Sequence, residues 1–120
     1  MKNMVCVVSH APYASSHSLE AIEAAMVGAV FDFNVSILFR GEGVWCLLND
    51  QDANLLRQRS IAKVATALPT YDIDKVYVCS QAMEDTGLGE ADLCVPVTQL
   101  SPEEQGRLIN DQDIAIGAQS

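Results

Sequence analysis

Val5-Cys6-Val7-Val8, followed by Ser9-His10-Ala11-Pro12 and, further on, Val35-Ser36-Ile37-Leu38-Phe39, is the part of the sequence that decides the fold. Both apolar runs are short and rich in branched side chains, which predicts strands. Pro12 pushes the residue before it away from helical angles, so 9–17 reads as a loop. Between the two runs, Leu19, Ile22, Met26, Ala29 and Val30 recur every three to four residues and predict one apolar stripe on a helix. Glu20 and Glu23 stand near its start, where the helix dipole favours anions. Two strands joined through a helix must run parallel, because the crossover brings the chain back to the end where it began.

The same alternation continues outward. Arg40-Gly41-Glu42-Gly43 ends the second strand, with the glycines read as backbone-angle requirements. Val44-Trp45-Cys46-Leu47-Leu48 reads as a short helical turn, and 49–54 as polar loop. A second helix is expected over about 53–68, stopped by Pro69. Val76-Tyr77-Val78-Cys79 predicts strand three. Ser80 is placed to cap a short helix over 81–86 that closes at Gly87. Leu93-Cys94-Val95 predicts a fourth strand near an edge, given Pro96. Ser101-Pro102-Glu103-Glu104 has the cap, the first-turn proline and the third-position glutamate of a helix start, with the helix running to about Asn110. Ile114-Ala115-Ile116 suggests strand five, and 117–120 a tail. The expectation is an α/β fold: one doubly wound domain over 1–120 with a mostly parallel five-stranded sheet.

Composition narrows the function. Among 120 residues, 49% are hydrophobic and 19% charged, a globular balance. Seven basic against sixteen acidic residues leave a net charge of −9, so no basic stripe exists to neutralise phosphates or hold anionic lipid. No apolar run approaches bilayer length, and the first strand begins too early for a signal peptide, so the chain is expected to be cytoplasmic. The four cysteines lack any Cys-x-x-Cys spacing, which argues against a zinc knuckle or a thioredoxin motif.

In a parallel sheet, ligands gather beyond the carboxyl ends of the strands. Connectivity sends three segments there: Ser9 to His17, Arg40 to Gly43, and Cys79-Ser80-Gln81. A thiol at Cys79, just ahead of a helix, meets the positive helix pole, which favours thiolate, the form that attacks persulfides. The competing reading is that Cys79 packs under the rim, as free cysteines commonly do. Cys6, Cys46 and Cys94 are expected in the core. His10 and His17 could shuttle protons or bind metal, but the sequence places no third ligand near them, so no metal site is expected. The loop at 41–43 lacks the residues of a phosphate cradle, so no cofactor is expected. Trp45 and Leu47 lie in an apolar cluster that either completes the core or meets a partner.

Several segments together resemble the TusC/DsrF subunit of the DsrE-like sulfur-relay proteins: His10-Ala11-Pro12-Tyr13, Ser36-Ile37-Leu38-Phe39, Gly41-Glu42-Gly43-Val44, Tyr71-Asp72-Ile73 and Val76-Tyr77-Val78. The resemblance spans about residues 3–95. It implies a DsrE-like α/β fold and a place beside TusD/DsrE-like and TusB/DsrH-like subunits in a hexamer with two copies of each. Such complexes pass persulfide sulfur from a TusA-like donor to a TusE- or DsrC-like acceptor, for tRNA wobble 2-thiouridine or for oxidation of stored sulfur. The essential persulfide cysteine is attributed to the TusD/DsrE-like subunit, and the TusC/DsrF-like subunit is viewed as structural. Cys79 occupies the matching strand-end position, so a self-sufficient sulfurtransferase using Cys79 stays open as an alternative. Tyr13, Trp45 and Leu47 are the interface candidates. The C-terminal end departs from the family pattern, reading Ile114-Ala115-Ile116-Gly117 where an aspartate, aliphatics and a closing phenylalanine are usual.

Overall fold

A computed structural model describes residues 2–11, 17–48 and 64–117. Strands β1 (Asn3–Val8), β2 (Asn34–Phe39), β3 (Lys75–Cys79), β4 (Thr98–Leu100) and β5 (Ile114–Ile116) form one sheet in the order β4-β3-β2-β1-β5. Every pairing is parallel. The α-helices that lie wholly within the described residues are α1 (His17–Val30), α2 (Ser80–Thr86) and α3 (Pro102–Asn110), with 3-10 turns at Gly41–Leu47, Leu68–Tyr71 and Glu90–Asp92.

β1 sits inside the sheet and is buried on both sides, which is why its sequence is a continuous apolar run without alternation. Met4, Cys6 and Val8 join Val35, Ile37, Phe39, Val76 and Val78 in the main core, with Ala21, Ile22 and Ala25 of α1 packed in the same cluster. Val5, Val7 and Leu38 face the other way, toward Tyr77 and toward Leu108 and Ile109 of α3. Helices therefore cover both faces, the doubly wound arrangement expected from the alternating pattern.

Four details differ from the expectations. Leu93 to Val95 is not a strand of the sheet: Leu93 makes one isolated antiparallel bridge to Leu48, and the sheet's fourth strand is Thr98–Leu100. Pro96 cannot donate to a ladder, and the true edge strand is largely exposed, so it carries no apolar signature. The cap of α2 is Cys79, with Ser80 already the first helical residue. The buried stripe of α1 is Ser18, Ala21, Ile22, Ala25 and Gly28, and Val30, expected inside, is 65% exposed. Small residues around Ile22 on the inner side let α1 lie close to the sheet, and Val27 and Val30 are turned outward. Finally, Gly41 has the positive φ expected of it, at 56°, but Gly43 does not. A β-carbon at Gly43 would run into the Val8 carbonyl, with the Val8 carbonyl carbon only 2.7 Å away. It is glycine because two backbone segments touch there.

The helix expected over 53–68 falls mostly outside the described residues; 64–66 are helical. The capped helix start at Ser101 is present. Ser101 Oγ accepts from the Glu104 amide at 3.3 Å, and the Glu104 carboxylate accepts from the Ser101 amide at 2.9 Å. Among the described residues, no helix is long and apolar enough to cross a membrane.

Candidate functional site

The strand order turns at β1. β2, β3 and β4 extend to one side, while β5 returns on the other. α1 leaves β1 over one face, and α3, which precedes β5, packs against the opposite face. Between them, beyond the carboxyl ends of β1 and β5, a crevice must open, the place where parallel sheets hold ligands. A cavity of about 300 Å³ lies there, lined by Val7, Ser9, His10, His17, Ser18, Glu20, Ala21, Ile116 and Gly117.

The walls of this crevice are set by backbone contacts. Gly117, with φ of 80°, passes so close to the Val7 carbonyl that a β-carbon would collide with it. Gly43 does the same at Val8 from the other side. The last two carbonyls of β1 are thus each covered by a glycine. The Ser18 hydroxyl donates to the His10 carbonyl at 2.6 Å, and the Cys46 thiol donates to the same oxygen at 3.7 Å. Ser18 is almost fully buried, so this bond ties the start of α1 to the segment just after β1. Arg40 Nε donates to the Ser9 hydroxyl at 3.4 Å, joining the loops after β1 and β2.

His10 and His17 come together. Their ring centroids are 5.4 Å apart at 51°. Among the described residues, no group of three or more His, Cys, Asp or Glu side chains is arranged to hold a metal ion. Cys79 does not line the crevice. It ends β3, two strands from β1, a separation of about 10 Å at ordinary strand spacing. It is 9% exposed and packs in the main core cluster.

Cys6 and Cys46 are withdrawn further, and Cys94 less. Burial pushes the Cys6 thiol up to about 12 from an ordinary 9.0. It does the same to Cys46, where a hydrogen bond with Ser18 offsets only part of the rise. Burial also raises Cys94, half-buried, above its usual range. Neutral thiols are poor nucleophiles. Of the interface candidates, Trp45 is partly exposed, and Leu47 is fully buried, so Leu47 packs the core and has no surface to offer a partner. Tyr13 lies outside the described residues. Sequence reasoning did not identify Ser18, Glu20, Ile116 or Gly117 as crevice residues. A glycine directly after the last strand was the one available signal.

The comparisons with known proteins agree with one another. The DsrE/DsrF-like family model matches residues 2–116. A protein named TusC homolog from Vibrio parahaemolyticus is 28% identical over 104 residues, covering 87% of this chain and 88% of that protein. The intracellular sulfur oxidation protein DsrF of Allochromatium vinosum is 30% identical over 93 residues, covering 78% of this chain and 68% of that one. The crystal structure of the ychN protein from E. coli superimposes with a TM-score of 0.79 over 97% of this chain and 98% of its own, at 16% identity, and so shares the fold. The five-stranded parallel sheet, the match over nearly the whole chain and the named relatives place this protein in the DsrE/DsrF-like family, on its TusC/DsrF branch.

Proposed function

We propose that this chain is a structural subunit of a cytoplasmic sulfur-relay complex, in which a TusA-like donor supplies persulfide sulfur and a TusE- or DsrC-like acceptor receives it. TusD/DsrE-like and TusB/DsrH-like subunits complete the assembly as a hexamer. The observation that carries the reading is the state of the thiols. Sulfur transfer needs an acceptor thiolate to attack the outer sulfur of a persulfide, forming a new S–S bond while the donor thiolate leaves. Cys6 and Cys46 are fully buried and held neutral, Cys94 is half-buried and shifted the same way, and Cys79 is 9% exposed. A chain that keeps its sulfur this covered fits a framework role better than a carrier role.

The pathway most in keeping with the TusC relatives is tRNA wobble 2-thiouridine synthesis. The DsrF relative, at 30% identity, favours a second reading, oxidation of stored sulfur. Cys79 retains a specific alternative role as carrier, since it stands at a strand tip beside a helix start.

Incubation with a persulfide donor followed by intact mass measurement separates these roles. The framework reading expects no stable gain of sulfur on this chain, and small α/β partners that co-purify with it from its own cell. A gain of one sulfur that disappears in Cys79→Ser would overturn it in favour of a self-sufficient transferase. Identification of the acceptor in the native complex decides between the two pathways.

A further inference from the structure

The large hydrophobic side chains that stand exposed among the described residues are Val27, Val30, Phe31 and Tyr71, at 55, 65, 70 and 41%. All four line one groove of about 320 Å³, together with Met26 and Glu23. The second half of α1, from Glu23 onward, and the 3-10 turn at Leu68–Tyr71 form it, toward the amino ends of the strands and with no lining residue shared with the crevice. Scattered exposed apolar residues need no explanation, but four in one groove mark a surface that another molecule covers.

The rim indicates what that molecule is. Glu23 lines the groove itself. Tyr71 also borders an adjoining polar cavity lined by Asp32, Asp72 and Asp74. Among the described residues that line the groove and this cavity, the charged ones are those four carboxylates, and the ammonium of Lys75 donates at 2.6 Å to Asn34 beside them. An apolar centre inside an acidic rim matches a partner with an apolar projection inside a basic collar. A second copy of this chain fits poorly, because a two-fold contact would set these carboxylates against themselves in a chain of net charge −9.

We infer that the Val27, Val30, Phe31 and Tyr71 groove is the docking face for a different protein chain, one whose contact surface carries large apolar side chains flanked by lysine or arginine. The inference rests on the reading that this chain works inside an assembly, and it says which face is used.

The test uses the tagged full chain purified from its own cell with its partners, measured by native mass. The double substitution Val30→Ser with Phe31→Ser lowers the assembled fraction about tenfold or more, as loss of a central apolar anchor does. Glu23→Lys with Asp74→Lys lowers it too, and rising salt weakens the unsubstituted complex. All four positions are exposed, so each variant is expected to keep the thermal midpoint of the parent. Hydrogen exchange on the unsubstituted complex provides a check that needs no variant: amides at 27–31 and 71 are slowed relative to the free chain. Normal assembly of the double variant, or unchanged exchange at these amides in an intact complex, overturns this face and leaves the assembly reading standing. Dimers of the free chain that vanish in the double variant also overturn it, in favour of a second copy. Absence of any complex overturns both.

Discussion

At the carboxyl ends of the strands, a crevice opens beyond β1 and β5, but the thiols and the last carbonyls of β1 are covered. Cys6, Cys46 and Cys79 are buried, the final carbonyls of β1 lie under Gly43 and Gly117, and Ser18 and Arg40 stitch neighbouring loops together. At the amino ends, the opposite holds: Val27, Val30, Phe31 and Tyr71 stand open in a single groove. In a self-sufficient enzyme the reverse is expected, with reactive groups reached by solvent and apolar groups put away. The proposed role as a framework subunit predicts this arrangement, with most thiols covered and an apolar groove open. The contrast is sharpest between two phenylalanines: Phe39 has no exposed surface and Phe31 is 70% exposed.

That pair supplies the largest expected effect. Phe39→Ala leaves a cavity in the main core and costs about 3–5 kcal/mol of unfolding free energy, read by urea titration. Phe31→Ala changes the same quantity by less than about 0.5 kcal/mol, since a surface residue of the isolated chain has little to lose. If the two losses are similar, the distinction between the ends fails.

Gly43→Ala tests the covered rim directly. The new methyl meets backbone and not a flexible side chain, so the 3-10 turn at Gly41–Leu47 must draw away from the end of β1, at a cost of about 3 kcal/mol. Persistence of parental stability would mean that the rim is loose.

The buried thiols predict a pH effect of definite sign. Their folded values lie near 12, above the ordinary 9.0, so the unfolded chain loses these protons first. The stability linked to them is therefore fully present below pH 9 and is lost as pH rises toward 12. At pH 10 each thiol accounts for roughly 1 kcal/mol of that loss. Comparison of the parent with Cys46→Ala isolates this from other alkaline titrations: the variant has a shallower decline between pH 8 and 10. Parallel declines would show Cys46 to be open to solvent.

The smallest effect concerns α3, which covers the second face. Ser101→Ala removes the hydroxyl that accepts from the Glu104 amide and costs about 1 kcal/mol. Hydrogen bonding with Ser101 also holds the Glu104 carboxyl below its usual range, so the cap's contribution is present at neutral pH and fades as pH falls through that range. The carboxylate accepts from the Ser101 backbone amide, so a stability profile in which Glu104→Ala loses as much at low pH as at neutral pH would sever this link.

Much of the architecture was legible in the residues. Val5-Cys6-Val7-Val8 and Ser36-Ile37-Leu38-Phe39 announce buried parallel strands because a strand covered on both faces has no use for polar side chains. Ser101-Pro102-Glu103-Glu104 announces a helix start because its hydrogen bonds are local and need no distant partner. The exposed β4 was not legible, because Thr98-Gln99-Leu100 carries no pattern that distinguishes an edge strand from a loop. The inner face of α1 was not legible either. Nearly every position from 18 to 30 is apolar or small, so two stripes of the same period were available, and only the distance between helix and sheet selected the smaller one.

The sequence by itself determined which segments become strands and helices, that the strands run parallel, and to which family the pattern belongs, since these follow from local periodicity, chain-breaking residues and motif order. The tertiary structure alone decided that β5 returns beside β1, that a crevice opens there without Cys79, and that Val27, Val30, Phe31 and Tyr71 meet in one groove. These depend on which sheet edge the last strand takes and which way a helix is rolled. Both are settled by packing between residues far apart in the chain, and no local stretch of sequence contains that information.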